Sequence, residues 1–249
     1  MKTTLFLLSF FAPILLQAQI QIDSINTANS KLQMAQLNEG SATYLVYLQD
    51  SASGPKYRTE VWDRSIQKKD EYFEFKWNRY AGNGSVYHYQ IKVSARDFAP
   101  IEERTLEQRR KGKEVEIKRK HFIYKGGKIY THRDTTRHSE SPFELSHLNN
   151  SFNWEMDLEM LSMLQIEDGR IFAINFYHPG SKTLPAYYAF EVIRSEVLEF
   201  NDATFDCWVL KVVYSDRQSS EFWVDKKTNR VLKMKEFFFG RYRYKVLVI

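Results

Sequence analysis

From Ser41 to the carboxyl terminus, apolar and polar residues alternate with period two in runs of about 8 to 12, separated by clusters of Gly, Asn, Asp and Pro. A chain patterned in this way folds into antiparallel strands joined by tight turns, each strand giving one face to the core and one to water. The alternation predicts strands over 41–49, 56–63, 70–80, 85–94, 99–108, 113–125, 128–135, 170–178, 185–199, 205–215, 219–225, 231–239 and 242–249. A sheet of about a dozen strands cannot stay open and flat, so it is expected to curl around an interior. The expected class is therefore mainly β: a large curled antiparallel sheet. No linker interrupts the pattern, so 41–249 reads as a single β-rich domain, and 19–40 as an N-terminal arm, polar or briefly helical.

Side-chain chemistry fixes the register of three hairpins. A three-residue loop at Gly82-Asn83-Gly84, with Gly84 left-handed, sets Trp77 against Tyr89, Phe75 against Ile91 and Phe73 against Val93. The opposite face then pairs Glu74 with Lys92 and Asn78 with His88, whereas a register slipped by one would set aromatic against polar side chains. A five-residue loop over 226–230 pairs Val224 with Leu232, Phe222 with Met234 and Glu221 with Lys235. A two-residue turn at Gly126-Gly127 sets His121 opposite His132, Ile123 opposite Tyr130 and Arg119 opposite Asp134.

One helix is expected, over 153–165, with Ser151 as its cap and Glu155, Asp157 and Glu159 where negative charge favours a helix start. Trp154, Leu158 and Leu161 form one stripe, and Met156, Met160, Met163 and Leu164 extend the apolar arc most of the way round. Such a helix needs burial on more than one side, as the cover of the concave face of the sheet. Either it plugs that face as core, or it is a lid over a cavity in which methionines adapt to an apolar ligand.

The amino terminus reads as a secretory signal over 1–18. Lys2 precedes an apolar stretch from Leu5 to Leu16, and cleavage after Ala18 is expected. The stretch falls short of the roughly 20 residues of a spanning helix, so the processed chain is expected to be soluble and periplasmic or cell-envelope associated. With one cysteine, Cys207, no disulfide can form within the chain, and stability must come from the core. The 18 Phe, 15 Tyr and 5 Trp supply ample apolar area for that, and some of it is expected to line a cavity.

The net charge of +5 is concentrated in two places. Residues 101–128 carry ten Lys and Arg against five Glu, and residues 226–249 carry eight against Glu236 alone. Charge runs of this kind are commonly solvated sheet faces or protected edges. The basic segments 101–128 and 226–245 are also candidate contacts for an envelope protein or an anionic membrane surface. Nucleic acid is not an expected partner, since no nucleic-acid-binding motif accompanies the charge.

No G-x-S-x-G elbow, H-E-x-x-H, Walker loop or G-x-G-x-x-G occurs in the sequence, and no catalytic residue is assigned. The His121 and His132 pair could seat two imidazoles on one ion, but a zinc site normally needs a third protein ligand and none is visible. The chain is expected to be neither an enzyme nor a metal or cofactor protein.

The carboxyl-terminal half carries a family pattern. Asp157-Leu158-Glu159-Met160-Leu161-Ser162-Met163-Leu164 runs into a strand after Asp168-Gly169. Long strands follow, and then Phe222-Trp223-Val224-Asp225-Lys226-Lys227-Thr228 with Val231-Leu232-Lys233. This resembles the exported bacterial family called domain of unknown function 3108, similar in turn to the LolA and LolB lipoprotein carriers. The resemblance implies a half-barrel, in which an antiparallel sheet curls around an apolar cavity covered by helices, and it implies a lipid or lipoprotein acyl chain as the ligand class. The candidates for lining that cavity are Phe73, Phe75, Trp77, Tyr89, Trp154, Met156, Leu158, Met160, Leu161, Met163 and Phe222. Two other readings stand beside a ligand-binding protein: an envelope scaffold or assembly partner without a ligand, and an outer-membrane β-barrel.

Overall fold

The computed structural model describes residues 22–29, 31–51, 53–132, 142–200 and 203–248. The expected signal segment and the Arg119–Asp134 pair lie outside these residues, as do the last residues of the expected 128–135 strand.

The described chain forms one curled sheet of sixteen strands that is not closed. They are β1 (Ile22–Ile25), β2 (Gly40–Gln49), β3 (Tyr57–Lys68), β4 (Tyr72–Ala81), β5 (Val86–Ser94), β6 (Pro100–Lys111), β7 (Glu114–Lys125) and β8 (Lys128–Thr131), then β9 (Glu144–Leu145), β10 (Phe152–Asn153), β11 (Ile171–Tyr177), β12 (Ala186–Phe200), β13 (Ala203–Ser215), β14 (Gln218–Asp225), β15 (Val231–Phe238) and β16 (Arg241–Leu247). In space the order is β1-β11-β12-β13-β14-β15-β16-β2-β3-β4-β5-β6-β7-β8-β9, with β10 paired to β11. The carboxyl-terminal strand thus pairs with the first long strand, β16 with β2, and joins the two halves of the chain into one surface.

Alternation puts Trp62, Phe73, Phe75, Trp77, Ile91, Val93, Phe172, Ile174, Phe190, Leu210, Phe222 and Met234 on the inner face, all buried in one core cluster. Register shifts between β12 and β13, β13 and β14, β14 and β15, β2 and β3, and β5 and β6 mark bulges that add local twist and help the sheet bend. The two edges approach each other through side chains. Tyr177 of β11 packs in a small second cluster with Phe122 of β7, Ile129 of β8 and Leu148. The seam is bridged where Leu148 N donates to Gly127 O at 3.0 Å and Thr27 N donates to Asn150 O at 2.9 Å.

The Gly82-Asn83-Gly84 hairpin has the expected register: Trp77 pairs with Tyr89, Phe75 with Ile91, Phe73 with Val93, Glu74 with Lys92 and Asn78 with His88. Gly84 has φ +81°. Ile123 pairs with Tyr130, and His132 N donates to His121 O at 2.8 Å across the Gly126-Gly127 turn.

Four expectations need correction. Val224 pairs with Val231 and not Leu232, because the chain bulges between Trp223 and Val224; Phe222–Met234 and Glu221–Lys235 pair as expected. The 19–40 arm is not merely polar or helical: Ile22–Ile25 adds a parallel strand to β11, and only Met34–Gln36 forms a 3-10 turn. The helix is shorter than 153–165. A 3-10 turn over Trp154–Met156 leads into α1 (Asp157–Ser162). Pairing of Phe152 and Asn153 with Phe176 and Tyr177 of β11 holds the backbone extended up to Asn153, so tertiary pairing overrides helix propensity. The cap is accordingly Asn153, whose Oδ1 accepts from Glu155 N, and not Ser151.

Candidate functional site: the covered interior

All eleven candidate lining residues belong to the main core, and of them only Leu158 lines the cavity left beneath the helix. Phe73, Phe75, Trp77, Met156, Leu158, Met160, Leu161, Met163 and Phe222 are buried in the main core, and Tyr89 and Trp154 pack against it half-buried. The helical segment therefore sits on the concave face as expected. Between α1 and strands β2, β3 and β15 there remains a cavity of about 40 Å³, lined among others by Tyr44, Arg64, Ile66, Leu158 and Ser162. Trp154 stacks on His178 at 4.4 Å and meets Phe176, Tyr188 and Tyr214 edge-on, so an aromatic group gathers beside the start of the cover.

The interior is not only apolar. On β3 and β4 the inward positions continue from Ile66 to Arg64 and from Trp77 to Arg79, and on β16 Lys245 points inward opposite Met234. The two arginines meet the acids of the cover. Arg64 Nη2 lies 2.5 Å from Glu159 Oε2, with both side chains sealed from solvent, and Arg79 Nη2 lies 2.7 Å from Glu155 Oε2. Aromatic faces complete the cage: Arg64 lies 3.6 Å over Trp77, Arg79 lies 4.0 Å over Trp62 and 4.3 Å over Tyr89, and Lys245 Nζ lies 4.9 Å over Trp62.

Burial and charge set the protonation of this group. Burial pushes the Glu159 carboxyl up, even beside Arg64. Burial also acts to raise Glu155, but Arg79, Lys245 and Arg64 outweigh it and hold that carboxyl below its ordinary range. Burial lowers the Lys245 ammonium to about 8. Glu103 of β6, buried and close to the Glu155 charge, is pushed up to about 7. Its Oε2 accepts from Asn153 Nδ2 at 2.6 Å, so the residue that caps the cover is itself held by the sheet.

The sequence reading missed this polar network. It took Glu155, Asp157 and Glu159 as helix-start acids and Lys245 as part of a surface charge run, whereas Lys245 is 7 % exposed. The available signal was a charge in an apolar register position: once Trp77 faces inward, so does Arg79, and the β3 pairing carries Arg64 with it.

The histidine pair forms as expected, with His121 and His132 rings stacked at 4.4 Å. His121 Nε2 lies 2.7 Å from Glu102 Oε1, and burial lowers the imidazole pKa despite that carboxylate. Among the described residues no group of three or more His, Cys, Asp or Glu is placed to hold a metal. A groove of about 420 Å³ runs over the outer face of β4 to β7, lined by Lys76, Asn78, His88, Arg104, Arg119 and His121, among others. Among the described residues, no helix is long and apolar enough to cross a membrane.

No curated protein and no solved structure matches the chain. The family model described as "Protein of unknown function (DUF3108)" matches residues 31–246, nearly the whole curled sheet, and the chain belongs to that family.

Proposed function

We propose that this chain is an exported, non-enzymatic envelope protein that accommodates an apolar ligand, such as the acyl chain of a lipid or lipoprotein, inside its curled sheet. The 154–163 segment is the cover that must shift to admit it. One observation carries the reading. The cover is apolar toward the core, yet it is tied to the sheet by buried ion pairs, Arg64–Glu159 and Arg79–Glu155, where hydrocarbon would pack at least as well. Charges so placed define a closed position that can be left, and the five methionines at 34, 156, 160, 163 and 234 give the interior side chains that repack readily.

The ligand class is the one that the resemblance to lipoprotein carriers implies. An outer-membrane barrel is disfavoured by the strand edges that are open among the described residues, whose backbone groups would be unsatisfied in lipid. The scaffold reading has its own support: the residual cavity of about 40 Å³ holds no acyl chain while the cover is seated.

Titration of the purified protein with a fluorescent long-chain fatty acid tests the proposal. Saturable binding that Met160→Trp abolishes, with native mass spectrometry finding a co-purified lipid, is the expected result. Absence of saturable binding, or binding indifferent to Met160→Trp, favours the scaffold.

A further inference from the structure

The strand order sends the hairpin turns alternately to two ends of the sheet, and the ends differ in their exposed aromatic side chains. At one end stand, in spatial order, the tips joining β13–β14, β15–β16, β2–β3, β4–β5 and β6–β7. They form a continuous rim. Phe239 N donates to Arg217 O at 3.2 Å, Tyr242 pairs with Gln49, Gly82 N donates to Thr59 O at 3.0 Å, and Arg110 N donates to Ser85 Oγ at 2.9 Å.

The rim is studded with exposed apolar side chains set among cations that outnumber its exposed acids, Asp50, Glu114 and Asp216. Arg217, Lys56, Arg58, Arg110 and Lys113 are exposed and form no ion pair among the described residues. Between them, Phe239 is 66 %, Val213 61 %, Val115 50 % and Tyr80 42 % exposed. The opposite end carries cations as well, among them Lys125 and Lys227, but among the described residues no exposed aromatic side chain stands with them. Its 69–71 turn reads Lys-Asp-Glu, and its 95–99 turn pairs Arg96 with Asp97. The contrast is sharpest between two phenylalanines with the same left-handed backbone, Phe98 at φ +57° and Phe239 at φ +47°. Phe98 turns inward and is 1 % exposed, whereas Phe239 stands out from its tip.

We infer that this rim docks the protein on an anionic lipid bilayer, with Phe239 entering the headgroup region and the surrounding cations facing the lipid phosphates. Cations interleaved with isolated aromatic and aliphatic side chains suit a surface that is charged outside and apolar a few ångströms deeper. The rim is not what the charge runs in the sequence suggest. Arg217, Lys56 and Arg58 belong to neither run, while Lys226, Lys227 and Arg230 of the second run lie at the opposite end, and Lys245 is buried. This inference does not depend on a ligand in the interior.

The test places an environment-sensitive fluorophore on the processed full chain at Phe239→Cys, or at Lys227→Cys on the opposite end. Cys207 is fully buried and stays unlabelled in the native state. Vesicles of phosphatidylcholine with phosphatidylglycerol should shift the 239 probe to the blue and leave the 227 probe unchanged, and added salt should reverse the shift. Replacing Lys56, Arg110 and Lys113 by Ser should weaken vesicle binding on the order of 100-fold, from about fivefold for each cation that approaches the surface. Equal response of both probes, no response at 239, or equal binding to pure phosphatidylcholine would overturn the inference. Salt-sensitive binding to a soluble anionic polymer with the 239 probe still in water would overturn it in favour of a non-lipid partner.

Discussion

Arg64 of β3 and Glu159 of α1 form an ion pair 2.5 Å long, and neither side chain has appreciable contact with solvent. The pair ties the middle of the cover to the sheet, and the guanidinium also covers the Trp77 ring. Removing one partner strands the other charge in the core, whereas removing both leaves two apolar surfaces to meet. Arg64→Met alone should therefore cost roughly 3 kcal/mol, and Arg64→Met with Glu159→Met should recover most of it. Urea unfolding of the four members of the double-mutant cycle measures this; a double variant as unstable as the single one would show that the pair does not act as a unit.

Glu103 makes stability depend on pH. Its folded-state pKa of about 7 lies above the ordinary 4.5, so the folded protein holds this proton more tightly than the unfolded chain. Its contribution is fully present below pH 4.5 and is lost as pH rises through 7. The groups facing it are Glu155, Asn153, Lys120 and Thr105. Glu103→Gln keeps an acceptor for Asn153 without the charge, and it should raise stability at pH 8 by up to roughly 3 kcal/mol while changing little at pH 4. Thermal melts across that range check it. An unaltered pH profile would mean that the carboxyl is not protonated in the fold.

The strands and hairpin registers were legible because their determinants are local: alternation, turn residues and cross-strand chemistry on adjacent segments. Phe73, Phe75 and Trp77 could be set against Val93, Ile91 and Tyr89 from the sequence alone because a one-residue slip would have wetted three large side chains. The helix length was not legible. What shortens it is the pairing of Phe152 and Asn153 with β11, a partner that only the tertiary fold supplies. The strand at Ile22–Ile25 was missed for the same reason, since four residues carry too little alternation to stand out. The polar interior was half legible: the register of Arg79 followed from that of Trp77, but its partner Glu155 comes from the opposite side of the core.

The histidine pair offers a sharper negative test. His121 and His132 stack face to face, and His121 is already engaged by Glu102, which Lys92 and Arg104 also hold. Those cations, together with burial of the imidazole, oppose a further positive charge. Calorimetry with zinc should give no binding in the micromolar range. Binding of that strength, lost in His132→Ala, would make this outer-face pair a metal site after all.

Met160 separates a packed interior from one that is built to yield. It is fully buried on the cover, in the same core as Met156, Met163 and Leu161. Truncation to Ala in a rigid core costs roughly 2 to 5 kcal/mol, the upper end applying where the surroundings cannot collapse into the space. Methionine neighbours can follow the missing atoms, so Met160→Ala should fall near the lower end, about 2 kcal/mol. Phe75→Ala, in the same core on β4, should cost more, about 4 kcal/mol, because its cross-strand partners Ile66 and Ile91 and the edge-on Phe98 ring are stiff side chains that follow the missing atoms poorly. Urea unfolding measures both. Equal losses at the two positions would indicate a uniformly rigid interior, and a cover that cannot repack around an acyl chain would then leave the scaffold as the better reading.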